Sequence, residues 1–204
     1  MADIYSSDAA SNKLYKHSGF SSTIKYSFSS PSNGPVCIAW NLTDIHSFEA
    51  NAGKIYRHSG FSSTIKDSFS SPSNDPGDIA RDDSGNIYST DIATDKIYYH
   101  SSFSTTIRDS FSSPSTDPEG VERLTTTANA FSADLTSNKI YQHSGFTTTI
   151  KSSFASPTTS TRAVANDATD TYVSAGGNGG KIYRHSGFSS TIKDSFSSPS
   201  TDLY

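Results

Sequence analysis

Five of the six histidines, His17, His58, His100, His143 and His185, stand at nearly even intervals along the 204-residue chain. Imidazole is both a zinc ligand and a general base, so a set recurring this regularly first suggests a metal ring. Asp8, Asp91 and Asp134, with Glu49 near the matching place, recur in the same way and offer hard oxygen ligands for a cation. A third set varies instead of repeating: Trp40, Arg81, Arg123 and Asn166 each stand two residues after a recurring aliphatic position, with Glu122 beside them. An indole, two guanidinium groups, an amide and a carboxylate arriving from separate segments make a candidate ligand-binding mouth. The glycine-rich stretch from Ala175 to Gly180 invites a phosphate-loop reading, but no Gly-Lys-Ser/Thr follows it and no helix start is expected there. No Gly-x-Ser-x-Gly nucleophile motif occurs, so the abundant serine is composition and not a triad.

What these groups can do depends on the elements that carry them. The segment Lys-(Ile/Leu)-Tyr-x-His-Ser-(Gly/Ser)-Phe begins at Lys13, Lys54, Lys96, Lys139 and Lys181, at spacings of 41, 42, 43 and 42. Residues 54 to 73 return without a change at 181 to 200. Self-similarity at one steady period marks a repeat architecture. Within a copy, alternation predicts strands: Ile97 and Tyr99 share one face, Tyr98 and His100 the other, and Ile107, Asp109 and Phe111 share a face in the next run. Upstream lie Asn86 to Asp91 and the short apolar piece Asp78-Ile79-Ala80, which makes four strands per period. Tyr98 and Ile107 are expected between blades, and the variable Lys16, Arg57, Tyr99, Gln142 and Arg184 in solvent. Asp83-Ser84-Gly85-Asn86 and Ala93-Thr94-Asp95 are turn signals, and Pro72, Pro114 and Pro157 close the fourth strands.

Four short antiparallel strands every 42 residues or so is the size of a propeller blade, and copies closed into a ring bury between them what one blade cannot bury alone. The expected fold is therefore all-β, a five-bladed β-propeller in one domain, with blades near 1–34, 35–76, 77–118, 119–160 and 161–204. The pattern Pro76-Gly77-Asp78-Ile79-Ala80, then Gly85 to Asp91, then Asp95-Lys96-Ile97-Tyr98 resembles the NHL and YVTN type of propeller repeat. That resemblance covers all five copies and implies the blade, not an activity, since the fold hosts enzymes, receptors and scaffolds. Hydrolases of similar blades hold a metal among acidic or amide groups at the channel mouth; here Asp82, Asp83, Glu122 and Asn166 come from that zone without repeated logic.

In a propeller the first strand lines the central channel, so Trp40, Arg81, Glu122, Arg123 and Asn166 are expected at its mouth. Third strands lie far from the axis, which separates the five imidazoles and predicts histidines hydrogen-bonded to neighbouring turns. The sixth, His46, takes the place held by Tyr5, Tyr88, Phe131 and Tyr172 and is expected in packing. The recurring aspartates are expected to cap the turns that follow them. The first strand has only four clear copies: the blade holding Ile4, Tyr15 and Phe28 is expected to have three full strands, with Leu203 and Tyr204 at most beginning a fourth. Its inner edge would then need water, a ligand or another chain.

Composition bounds the rest. Hydrophobic residues are 32% of the chain and aromatics 12%, which predicts a thin core dominated by Phe and Tyr. The net charge of -4 is spread without a basic stripe, against nucleic acid as a partner. A lone Cys37 excludes an intrachain disulfide framework, and no apolar run is long enough for a membrane span or a signal peptide. The chain therefore reads as a soluble, non-enzymatic binding or structural module without cofactor or metal, its partner a glycan or another protein chain completing the ring. Two alternatives stand beside it: a decoration protein of a viral particle or cell surface, and a metal-dependent hydrolase of the propeller lactonase type.

Overall fold

The computed structural model describes residues 3–40, 43–72, 75–124, 126–176 and 180–198. They form a five-bladed β-propeller. Blade one has three antiparallel strands, β1 (Tyr5–Asp8), β2 (Lys13–His17) and β3 (Ile24–Ser29). Blade two has four, β4 (Pro35–Trp40), β5 (Asp44–Glu49), β6 (Lys54–Ser59) and β7 (Ile65–Ser70), with a 3-10 turn at Ala50–Ala52. Blade three comprises β8 (Pro76–Arg81), β9 (Ile87–Asp91), β10 (Lys96–His100) and β11 (Ile107–Ser112). Blade four comprises β12 (Pro118–Leu124), β13 (Asn129–Asp134), β14 (Lys139–His143) and β15 (Ile150–Ala155). Blade five comprises β16 (Thr161–Asn166), β17 (Asp170–Ala175), β18 (Lys181–Ser186) and β19 (Ile192–Ser197).

The core lies between blades and is rebuilt at each junction from the same positions. Val121 of β12 enters blade three against Ala80, Tyr88, Ile97 and Phe111, and Val164 of β16 enters blade four against Phe131, Ala133 and Ile140. Ile79 of β8 likewise enters blade two against Cys37, Phe48 and Ile55, so three inner strands insert their aliphatic residue into the preceding blade, while Ile38 of β4 is half-buried at the axial cavity. Further out, each blade inserts the phenylalanine that follows its third strand: Phe61 meets Phe28, Phe103 meets Phe69, Phe146 meets Phe111 and Phe188 meets Phe154, edge to face at 4.7–4.9 Å between centroids. Phe20 of blade one meets Phe196 of blade five in the same way at 4.8 Å. The ring is therefore closed. Because Phe103 also lies beside His46 and under Arg57, Phe103→Ala is expected to lower unfolding stability by about 2–3 kcal/mol. A denaturation midpoint that shifts with unchanged slope checks it, and a shift within error would show that these ring contacts are incidental.

Alternation is observed as read in the third strands, where Tyr99 packs on Phe146 of the following blade and His100 on Phe69 of the preceding one. Two expectations of burial need correction. Ile107 is 42% exposed, and Ile24, Ile65, Ile150 and Ile192 are likewise exposed, while Tyr98 is only half-buried. The fourth strand is paired on one side, and the following blade reaches Phe111 through Phe146 but stops short of Ile107 at the strand's start. Conversely Lys16, Arg57, Tyr99, Gln142 and Arg184 are half-buried. The guanidinium groups of Arg57 and Arg184 lie over Phe103 and Phe20, the Lys16 ammonium lies over Tyr5, and Tyr99 stacks on Tyr88.

Candidate ligand-binding channel

The repeated histidines are fully buried, and four of them join the second and third strands of their own blade. Nε2 of His17, His58, His100 and His143 meets the hydroxyl of Ser6, Ser47, Ser89 and Ser132 on the second strand at 2.9–3.0 Å. Nδ1 of His17 donates to the Ser21 carbonyl at 3.1 Å, and burial favours the neutral ring, in which Nε2 accepts the serine hydroxyl. In blade five Val173 replaces the serine, and neither ring nitrogen of His185 has a partner. Burial pushes His58, His100 and His143 down to about 4 against a smaller upward pull from turn carbonyls, and it pushes His46 to about 3 with the Arg81 and Arg57 charges adding to the fall. These Ser–His pairs have a nucleophile and a base in contact, but no access. Among the described residues no three His, Cys, Asp or Glu side chains gather as a metal would require.

The recurring aspartates cap their turns. Asp8 accepts from the backbone N–H groups of Ala10 and Ser11, Asp91 from Thr94, and Asp134 from both the N–H and the hydroxyl of Ser137. Asp82 is likewise used up, on Asn86 and the Tyr88 hydroxyl. Of the glycine-rich stretch, residues 177–179 lie outside the described residues, as do Leu203 and Tyr204.

The axis holds a cavity of about 410 Å³. Trp40, Arg81, Glu122 and Asn166 line it, each from the end of a different inner strand. Arg123 does not: its guanidinium turns outward to the Ala128 carbonyl and lies 6.0 Å from the Tyr88 ring centroid. Residues that sequence reasoning left out complete the rim, notably Asp3, Tyr5, Asp167 and Tyr172. Tyr5 stacks on Trp40 at 5.3 Å with the planes 22° apart, and Lys16 lies near both rings. Asp3 bonds Lys25 at 2.7 Å and Lys16 at 3.3 Å; the Lys25 bond holds its carboxyl down at about 2. Asn166 is braced by Thr171 and by the N–H of Ala168. The Glu122 carboxyl accepts the N–H of Arg123 at 2.6 Å, and desolvation pushes it up to about 7, so the charge in the channel changes near neutral pH. Deeper, Asp78 is buried and accepts the N–H of Val121 at 3.0 Å, tying two inner strands together. The arrangement is an aromatic platform facing polar side chains from other blades, suited to a ligand with both an apolar face and hydroxyl or carboxyl groups.

The fold and this axial cavity define the class, a β-propeller with one central pocket region. No family model matches the chain, and no curated protein matches it in sequence. Among solved structures it is similar to a protein of unknown function from Bacteroides caccae (TM-score 0.62, 10% identity, 95% of this chain and 72% of that one). It is similar also to Myxococcus xanthus glutaminyl cyclase (TM-score 0.61, 9% identity, 84% and 90%). A third is Kuenenia stuttgartiensis hydrazine synthase (TM-score 0.57, 10% identity, covering 80% of this chain), of which the chain spans about half the length. At these identities the likeness concerns the fold alone. No helix among the described residues is long and apolar enough to cross a membrane.

Proposed function

We propose that the chain is a non-enzymatic recognition module, built from repeats of the NHL and YVTN type, that takes a glycan at the axial mouth in the manner of a lectin. The observation that carries this is the Trp40–Tyr5 stack at the cavity rim, with Arg81, Asn166 and Asp167 arriving from other blades. A sugar ring offers an apolar face to an indole and hydroxyls to planar amide, carboxylate and guanidinium groups. Borne on a particle or cell surface, such a rim would meet glycans directly. The test is a glycan array followed by titration of any hit. Trp40→Ala and Arg81→Ala are each expected to weaken binding about tenfold or more with an unchanged far-ultraviolet spectrum, whereas Arg123→Ala is expected to leave it unaltered. Absence of any glycan hit, or equal loss from all three variants, would overturn the assignment.

A further inference from the structure

Blade one lacks an inner strand among the described residues, and the surroundings of that place are built as though for one. The His17 N–H donates to the Ile4 carbonyl, so in the alternating ladder Ser6 and Asp8 face β2. The backbone N–H and C=O of Tyr5 and Ser7 therefore point to the side on which no described strand pairs with β1. Ile4 is half-exposed there, although Ile45, Ile87 and Ala130 at the matching positions are buried.

A second observation is independent of the edge. Ser7 is fully buried and its hydroxyl has no partner. At the matching position of blade three the Thr90 hydroxyl accepts the N–H of Asp78 at 2.7 Å, and in blade five the Ser174 hydroxyl accepts the N–H of Ala163 at 2.9 Å. Both donors lie on the inner strand, one residue before its aliphatic side chain. The acceptor is present in blade one, and its donor is not among the described residues.

The third observation is the cavity. Val164 sits against Phe131, Ala133 and Ile140 of blade four. Register places Tyr172, Ser174 and Ile182 of blade five at those positions, and all three line the axial cavity together with Phe20 and Val173. The cavity runs from the mouth into the place where a fifth aliphatic residue would lie.

We propose that this slot accepts an extended segment of another polypeptide, antiparallel to β1, carrying Ile or Val with a small residue before and after it. Its N–H one residue before the aliphatic side chain bonds Ser7, its backbone pairs with Tyr5 and Ser7, and its aliphatic side chain fills the space among Tyr172, Ser174 and Ile182. Four resident strands, with Ile38, Ile79, Val121 and Val164 at that position, supply the template. The inference goes beyond glycan recognition and holds whether or not the rim takes a sugar.

The probe is the capped peptide of residues 160–166, Ser-Thr-Arg-Ala-Val-Ala-Asn, added to the intact chain. Saturable binding is expected, with new protection of the Tyr5 and Ser7 amides from hydrogen exchange, and a peptide carrying Asp for Val is expected not to bind. Ser7→Ala removes an orphan acceptor, so the free chain should melt no lower than the parent while binding peptide up to about tenfold more weakly. No saturable binding, binding indifferent to Val→Asp, or protection elsewhere in the ring would overturn the proposal. So would Tyr5 and Ser7 amides already protected before peptide is added, since a second copy or the chain itself would then hold the slot.

Discussion

Acidification below pH 5 is expected to unfold the ring, with stability greatest near pH 6.5 and the loss steepest below about pH 4.5. Six imidazoles are held neutral by burial: His58, His100 and His143 near 4, His46 near 3, and His17 and His185 lowered as well. In the unfolded chain each binds its proton at an ordinary pKa of about 6.5, so below that value the unfolded state takes up more protons and gains. Each of the three near 4 is worth up to about 3 kcal/mol once fully titrated. Four carboxyl groups act in the opposite sense, because desolvation raises Glu49, Glu119 and Glu122 to about 7 and Asp78 as well. The three glutamates keep their protons in the fold between about pH 4.5 and 7, where the unfolded chain releases them, and Asp78 is shifted in the same direction. They therefore stabilise the ring as pH falls toward 4.5 and offset part of the histidine loss. Below their ordinary pKa that offset is complete and grows no further, while the imidazoles go on titrating. Melting temperature measured from pH 8 to 3.5 checks the curve. A flat profile between pH 6.5 and 4 would show that protons reach the imidazoles without unfolding.

Gly77→Val and Gly120→Val are expected to prevent folding, or to cost more than about 4 kcal/mol. A Cβ on Gly77 would lie 2.6 Å from the Pro118 carbonyl oxygen and 2.7 Å from the Glu119 Cα. One on Gly120 would lie 2.8 Å from the Ala133 Cβ and 2.9 Å from the Val164 nitrogen. These neighbours are mainly backbone of adjoining inner strands and cannot swing aside. Gly145 supplies the contrast: it has a φ of 69° with nothing nearer than 3.9 Å to a Cβ, so Gly145→Asn should be nearly neutral. Denaturant unfolding of the variants tests the pair against the control. A soluble Gly77→Val chain with parental stability would mean that the inner strands can spread.

The blade count was legible because one period sets one sheet, and the inward aliphatics Ile38, Ile79, Val121 and Val164 recur at one place in it. The histidines were read as bonded to neighbouring turns, as His17 is to the Ser21 carbonyl, but the second-strand serine that meets Nε2 in four blades was not foreseen. The exposure of Ile107 was not, since alternation tells which face a residue takes but not how far the neighbouring blade extends over it. The mouth was read in part. Trp40, Arg81, Glu122 and Asn166 follow from strand order, whereas Arg123 is drawn off by a carbonyl of its own turn, at Ala128. Tyr5, Asp167 and Tyr172 were missed because they reach the cavity from second strands and turns, elements that strand order does not assign to the axis.

Each phenylalanine after a third strand reaches backward into the preceding blade, so the joints run head to tail and the fifth returns from Phe20 to Phe196. Among the described residues four joints are doubled near the axis by an inner strand, while the joint between blades five and one is held by its aromatic clasp. The molecule is thus a closed chain of five links, one of them thinner than the rest. Load on a closed chain passes through every link in series, so the thinnest sets the force at which the whole yields, and opening is expected first at the Phe20–Phe196 clasp with every sheet intact.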